Sequence, residues 1–126
     1  MKTVIVLSLI LAVILALHAA IVERDLYNRI WWLDIALHTV GGMWVAAVLI
    51  YLLRVRALWP VLLGAVVLGI LWEALEYLFN VPFFGLGKRS FSDALWLFDT
   101  LVDLIIDAGA AALFWLVTRW GKNKHA

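Results

Sequence analysis

The sequence predicts an all-α, polytopic membrane protein: four transmembrane helices forming one domain over residues 1–126, with both termini on the cytoplasmic side. Three observations predict it. Hydrophobic residues make up 67% of a chain of only 126, more than one small water-soluble core can bury. That apolar content falls into four blocks, each near the roughly 20 residues that span about 30 Å of hydrocarbon. The blocks are joined without Ser/Gly/Pro-rich linkers, and the whole chain has two prolines, so no second domain is expected. A net charge of +1 speaks against nucleic acid as a partner, and the absence of cysteine excludes thiolate catalysis, disulfides and cysteine-held metals. Any metal must then be held by oxygen or imidazole.

The first block, Thr3 to Val22, follows Lys2 and ends in small residues, as a signal peptide does. Its run is longer than an ordinary signal core and His18 interrupts the small-residue cleavage pattern, so a retained helix is expected. The second, Trp32 to Leu53, carries Asp34 and His38 near its start and Gly41 and Gly42 one turn on. The third, Trp59 to Phe79, carries Glu73 and Glu76 near its end and is stopped by Pro82. The fourth, Ala94 to Thr118, has Ser92 as an expected N-cap and bears Asp99, Asp103 and Asp107 before the small-residue run of residues 108–112.

Basic residues set the orientation. With the N-terminus inside, the cytoplasmic side collects Lys2, Arg54, Arg56, Arg119, Lys122 and Lys124 against Arg24, Arg29, Lys88 and Arg89 outside. Trp31, Trp32 and Trp96 then fall at the outer interface and Trp59, Trp115 and Trp120 at the inner one, while Trp44 and Trp72 lie within spans as packing residues.

This topology brings the acidic residues to one end of the bundle. Asp34 and His38 are four residues apart and share a helix face, with His38 about 9 Å below the boundary. Glu73 and Glu76 reach the same depth from the opposite direction, and Asp99, Asp103 and Asp107 rotate only about 40° per step, forming a single stripe. Six unpaired carboxylates cannot remain ionised in hydrocarbon; they must be protonated or neutralised by cations. One or two divalent ions in an Asp/Glu/His shell meet that need, and an oxygen-rich set with one imidazole suits Mg, Mn, Fe or Zn. The expected ligands are His38, Glu73, Glu76, Asp99 and Asp103, with Asp34 orienting His38 and Asp107 a further ligand or proton acceptor in the chemistry. A hydrogen-bonded acid network is the bland alternative, and a haem held by His18 and His38 is disfavoured by the crowd of acids.

The stretch from Asn80 to Asp93 contains Gly-Leu-Gly-Lys-Arg-Ser but lacks the spacing of a phosphate loop and follows no strand, so no nucleotide site is expected. Lys88 and Arg89 remain candidates for holding an anionic headgroup or phosphate beside the acids. Motifs of zinc proteases and serine hydrolases are missing.

Three stretches together, Asp34 to His38 (DIALH), Trp72 to Tyr77 (WEALEY) and Phe98 to Asp103 (FDTLVD), resemble the YjdF-like family of small bacterial integral membrane proteins, with a fainter likeness to VanZ-like proteins. The resemblance covers Trp31 to Leu113. It implies that Asp34, His38, Glu73, Glu76, Asp99 and Asp103 are the family's polar positions, with Asp107 an additional acid, and it implies no particular reaction.

The expected protein is thus a multi-pass component of the inner (plasma) membrane, with an outer-leaflet metal site acting hydrolytically or by transfer on a lipid-linked or phosphorylated substrate. A proton or metal-ion transport subunit using the Asp ladder, or a structural membrane protein, is the alternative. Membrane lipids are the expected partners, with a homo-oligomer or larger membrane complex left open.

Overall fold

The computed structural model describes residues 1–123 apart from Asp25, Asn28, Trp31 and 81–92. Four helices follow one another: α1 (Lys2–Glu23), α2 (Trp32–Ala47), α3 (Leu58–Asn80) and α4 (Asp93–Asn123), with a π-helical turn, Val48–Leu52, continuing α2. Among the described residues there is no strand. All four helices are long and apolar enough to cross a membrane when α2 is taken together with its π turn. The expected spans match these helices closely, because a run of twenty apolar residues has few other ways to satisfy its backbone in hydrocarbon.

The second, third and fourth helices form the packed part of the bundle. α2 and α4 run in the same direction: Asp34 and His38 lie beside Asp103, and further along Val45 and Ala46 share a cluster with Ala111. α3 runs against them, since Glu73 meets Thr100 while Val61 and Ala65 meet Ala111. Small residues make this packing close. A Cβ added to Gly42 would fall 2.9 Å from the Asp107 Cα, so the backbones of α2 and α4 approach where only glycine fits. The apolar core of Val45, Ala46, Val61, Ala65 and Ala111, flanked by Trp44 and Phe114, fills one half of the bundle, and the polar cluster sits in the other.

α1 stands apart. Of its residues only Leu7 and Ile21 are buried, and its leucines and valines look outward to the space that hydrocarbon fills. The Trp44 indole of α2 tethers it by donating to the Leu7 carbonyl at 2.8 Å, and near its end His18 shares a 2.7 Å bond with the Tyr27 hydroxyl of the connection that follows.

At the opposite end from the acids, Arg54 adopts a positive φ of 61° and turns the chain from the π turn into α3. The adjoining Arg56 carbonyl accepts from the Trp115 indole at 3.0 Å and from the Arg119 guanidinium, which fixes this connection to the end of α4. Trp59 and Trp120 are largely exposed here, as an aromatic belt requires.

Candidate metal centre

His38 is the hub. It leaves α2 one turn after Asp34 and is buried between α3 and α4 along with Glu73, Asp103 and Asp107. Its two ring nitrogens have different surroundings. Nδ1 lies 3.3 Å from Asp107 Oδ2; with Asp107 ionised, Nδ1–H is the donor of this bond, and in the neutral imidazole the lone pair is then on Nε2. Nε2 faces three carboxylate oxygens: Glu73 Oε1 at 3.5 Å, Asp103 Oδ2 at 3.9 Å and Asp34 Oδ1 at 4.0 Å.

Each carboxylate has a structural reason to be there. Asp107 fits because residue 69 is glycine; a Cβ on Gly69 would stand 2.5 Å from Asp107 Oδ2. Glu73 is held by the Thr100 hydroxyl, which donates to its Oε2 at 2.8 Å and leaves Oε1 directed at His38. Asp34 and Asp103 offer oxygens that lie with a His38 nitrogen inside a 4.8 Å sphere of mutual separation.

Two of these atoms, His38 Nε2 and Glu73 Oε1, are fully buried and, among the described residues, neither has a hydrogen-bond partner. With the ring proton on Nδ1, both are electron-pair donors facing each other. Such a pair is costly in hydrocarbon unless a proton or a cation lies between them. Charge leads to the same conclusion: even an imidazolium at His38 would face four carboxyl groups.

The expected ligand residues therefore separate into groups. Asp34, His38 and Asp103 bring their ligand atoms within 4.8 Å of one another, Glu73 faces the same Nε2 from α3, and Asp107 rather than Asp34 engages Nδ1. Glu76 does not join them by any contact to His38; its Oε1 accepts from the Trp72 indole at 3.0 Å and lies 3.9 Å from His18 Nδ1. The reason is angular, since a step of three residues turns a helix by about 60° short of a full circle, enough to send Glu73 toward α4 and Glu76 toward α1. Asp99 is half-buried one turn before Asp103 and is not in the converging group. Lys88 and Arg89, like the Pro82 stop and the Ser92 cap, lie outside the described residues. His18, read as a level partner for His38, is engaged instead by Tyr27 and by the Trp72 ring, 4.7 Å away edge-on. Thr100 entered the sequence reading only as part of the Phe98–Asp103 stretch, with no role given to it, and Gly69 was not singled out; Thr100 lies three residues before Asp103, and that shared helix face was its readable signal.

Beside the cluster lies a cavity of about 360 Å³ walled by α1, α2 and α3. Asp34, His38 and Asp107 form part of its lining, and His18 and Tyr27 another part.

Neither a curated protein nor a solved structure gives a significant match to the chain. A family model described as "Predicted membrane protein (DUF2238)" matches residues 1–123, and the YjdF-like proteins that the three motifs resemble are this family. With four membrane-length helices and a match over nearly its whole length, the chain is a multi-pass membrane protein and belongs to the DUF2238 family.

Proposed function

We propose that the cluster around His38 is an intramembrane divalent-metal site, with His38 Nε2, Glu73, Asp103 and Asp34 as ligands and Asp107 holding the imidazole from behind. The observation that carries this reading is the facing pair of buried atoms without a hydrogen-bond partner among the described residues, His38 Nε2 and Glu73 Oε1, 3.5 Å apart. Ligands about 2.0–2.2 Å from one ion stand about 3.0–3.5 Å from each other, whereas direct hydrogen bonds would be shorter than most of the separations found here. Ligand atoms of Asp34, His38 and Asp103 lie within 4.8 Å of one another, and Glu73 faces the same Nε2 at 3.5 Å. The Asp107–His38 bond is the arrangement that fixes the tautomer of a ligating imidazole and strengthens its donor nitrogen.

One nitrogen and three carboxylates suit Zn, Mn, Fe or Mg. A bound ion supplies a polarised substrate oxygen or an activated water, which fits hydrolysis or transfer on a lipid-linked or phosphorylated substrate. The protein's own contribution is positional: Asp107 holds the ring, Thr100 holds Glu73, and the close α2–α4 contact at Gly42 keeps His38 level with Asp103 and Asp107. With both termini on the cytoplasmic side, as the distribution of Lys and Arg favours, the site lies in the outer leaflet of the inner membrane.

Elemental analysis of detergent-purified protein by inductively coupled plasma mass spectrometry, beside Asp103→Asn, tests this reading. The expected result is one divalent ion per chain in the parent and loss of the ion from a variant that still elutes and melts as a folded bundle. A metal-free parent, or an unchanged ion content in Asp103→Asn, would remove the assignment and leave a proton-sharing acid network in its place.

A further inference from the structure

The cavity between α1, α2 and α3 has two dissimilar ends. Asp34 on α2 and His18 and Tyr27 beside α1 give it a polar end, and His38 and Asp107 line the wall next to it. From there it continues along Leu37, Gly41 and Trp44 of α2, opposite Leu11 of α1 and Leu68 of α3. The stretch from Asp34 to Val45 is eleven helical steps, a length of about 16 Å. A volume of about 360 Å³ is more than twice that of the roughly 150 Å³ apolar cavity that accepts a benzene molecule, and it is within the range of ligand sites. A site that is long, apolar and capped at one end by ionisable groups is shaped for an amphiphile.

The space exists because of particular residues. Gly41 lies on the cavity wall, and a Cβ built there meets no atom within 4 Å, so the missing side chain leaves open room and not a tight backbone contact. α1 contributes by standing off from α3. The His18–Trp72 ring contact and the neighbouring Glu76 carboxylate bridge these two helices near the polar end. The four spans place the cavity at the depth of acyl chains, so the surrounding solvent is itself hydrocarbon.

We infer that this cavity takes one hydrocarbon chain of a membrane amphiphile, its polar head lying between His18 and the His38 cluster. The placement of the head beside a metal rests on the function proposed above; occupation by the chain does not. The cavity thereby narrows the substrate class from phosphorylated compounds in general to lipids that present their head from within the bilayer.

The test uses the full chain in vesicles of a phosphatidylcholine carrying a photoactivatable diazirine midway along one acyl chain, with crosslinked residues mapped by mass spectrometry. Leu9, Val13 and Ile105 face outward, at 61%, 58% and 71% exposure, and report ordinary lipid contact. In the parent, Leu11, Ile14 and Leu37 are expected to be labelled as well. Gly41→Leu fills the wall and is expected to lose the inner labels while the outward ones persist. Leu15→Trp fills the same cavity from α1, so a folding failure of either variant leaves the other to decide. Absence of inner labels in the parent, or their persistence in a folded filled variant, overturns the proposal. Metal content is measured on the same samples: inner labelling of a metal-free parent supports chain binding while removing the metal assignment, so the two readings fail separately.

Discussion

Gly41 and Gly42 are neighbours on one helix and serve opposite ends. Gly42 faces α4 at a distance that no side chain tolerates, and through that contact the backbone presents His38 to Asp103 and Asp107. Gly41 faces the gap toward α1, where a side chain would meet nothing within 4 Å. The comparison extends to the regions around them. The α2–α4 seam is closed, built from Gly42, Ala46 and Ala111, and holds buried ionisable groups; the α1–α3 side is open and held by a few polar contacts. Glycine in a membrane helix is therefore not one signal. Its meaning depends on whether the adjacent helix is packed against it or stands off.

The largest effect is expected from breaking the closed side. Gly42→Leu drives a branched side chain into the Asp107 backbone, beyond the about 1–3 kcal/mol of ordinary overpacking, and should abolish a monodisperse folded peak in size-exclusion chromatography. Next is loss of the ion. Chelator dialysis should lower the thermal midpoint of the parent, by an amount equivalent to about 2.7 kcal/mol if the ion was present at about a hundred times its dissociation constant, and should leave Asp103→Asn unmoved. Thr100→Val removes the hydroxyl that holds Glu73 and is expected to weaken metal binding by about 10- to 100-fold in a competition titration, with the fold unchanged. The smallest effect belongs to the open side. Gly41→Ala should be neutral or stabilising by about 0.5–1 kcal/mol in the same melting assay, since the helix gains and nothing is displaced. A destabilised Gly41→Ala would show that the gap is closed in the membrane and would dissolve the contrast.

Much of this was legible in the sequence. The four spans follow from hydropathy alone, and the expected Trp59–Phe79 span differs from α3 by one residue at each end. The meeting of Asp34, His38, Glu73 and Asp103 followed from helical spacing combined with an alternating topology. What spacing could not supply was azimuth between helices. It shows that Asp34 and His38 share a face without saying which neighbour that face meets, so Asp107, not Asp34, took the Nδ1 position, and Glu76 was grouped with Glu73 although it serves the α1 side. The cavity was illegible for a related reason: an open gap is lined by the same leucines as a packed interface, and only the standing-off of α1 distinguishes them.

The two tethers of α1 have a mechanical consequence. The Trp44 indole grips the helix near its beginning and the Trp72 ring and Glu76 carboxylate meet His18 near its end, so an axial slide would strain these contacts in a medium that offers no replacement hydrogen-bond partner. A sideways swing about Leu7 would part His18 from the Trp72 ring and the Glu76 carboxylate. The lightly packed helix is thus pinned at two levels, to α2 through Trp44 and to α3 through Trp72 and Glu76, with the passage beside His38 lying between the pins.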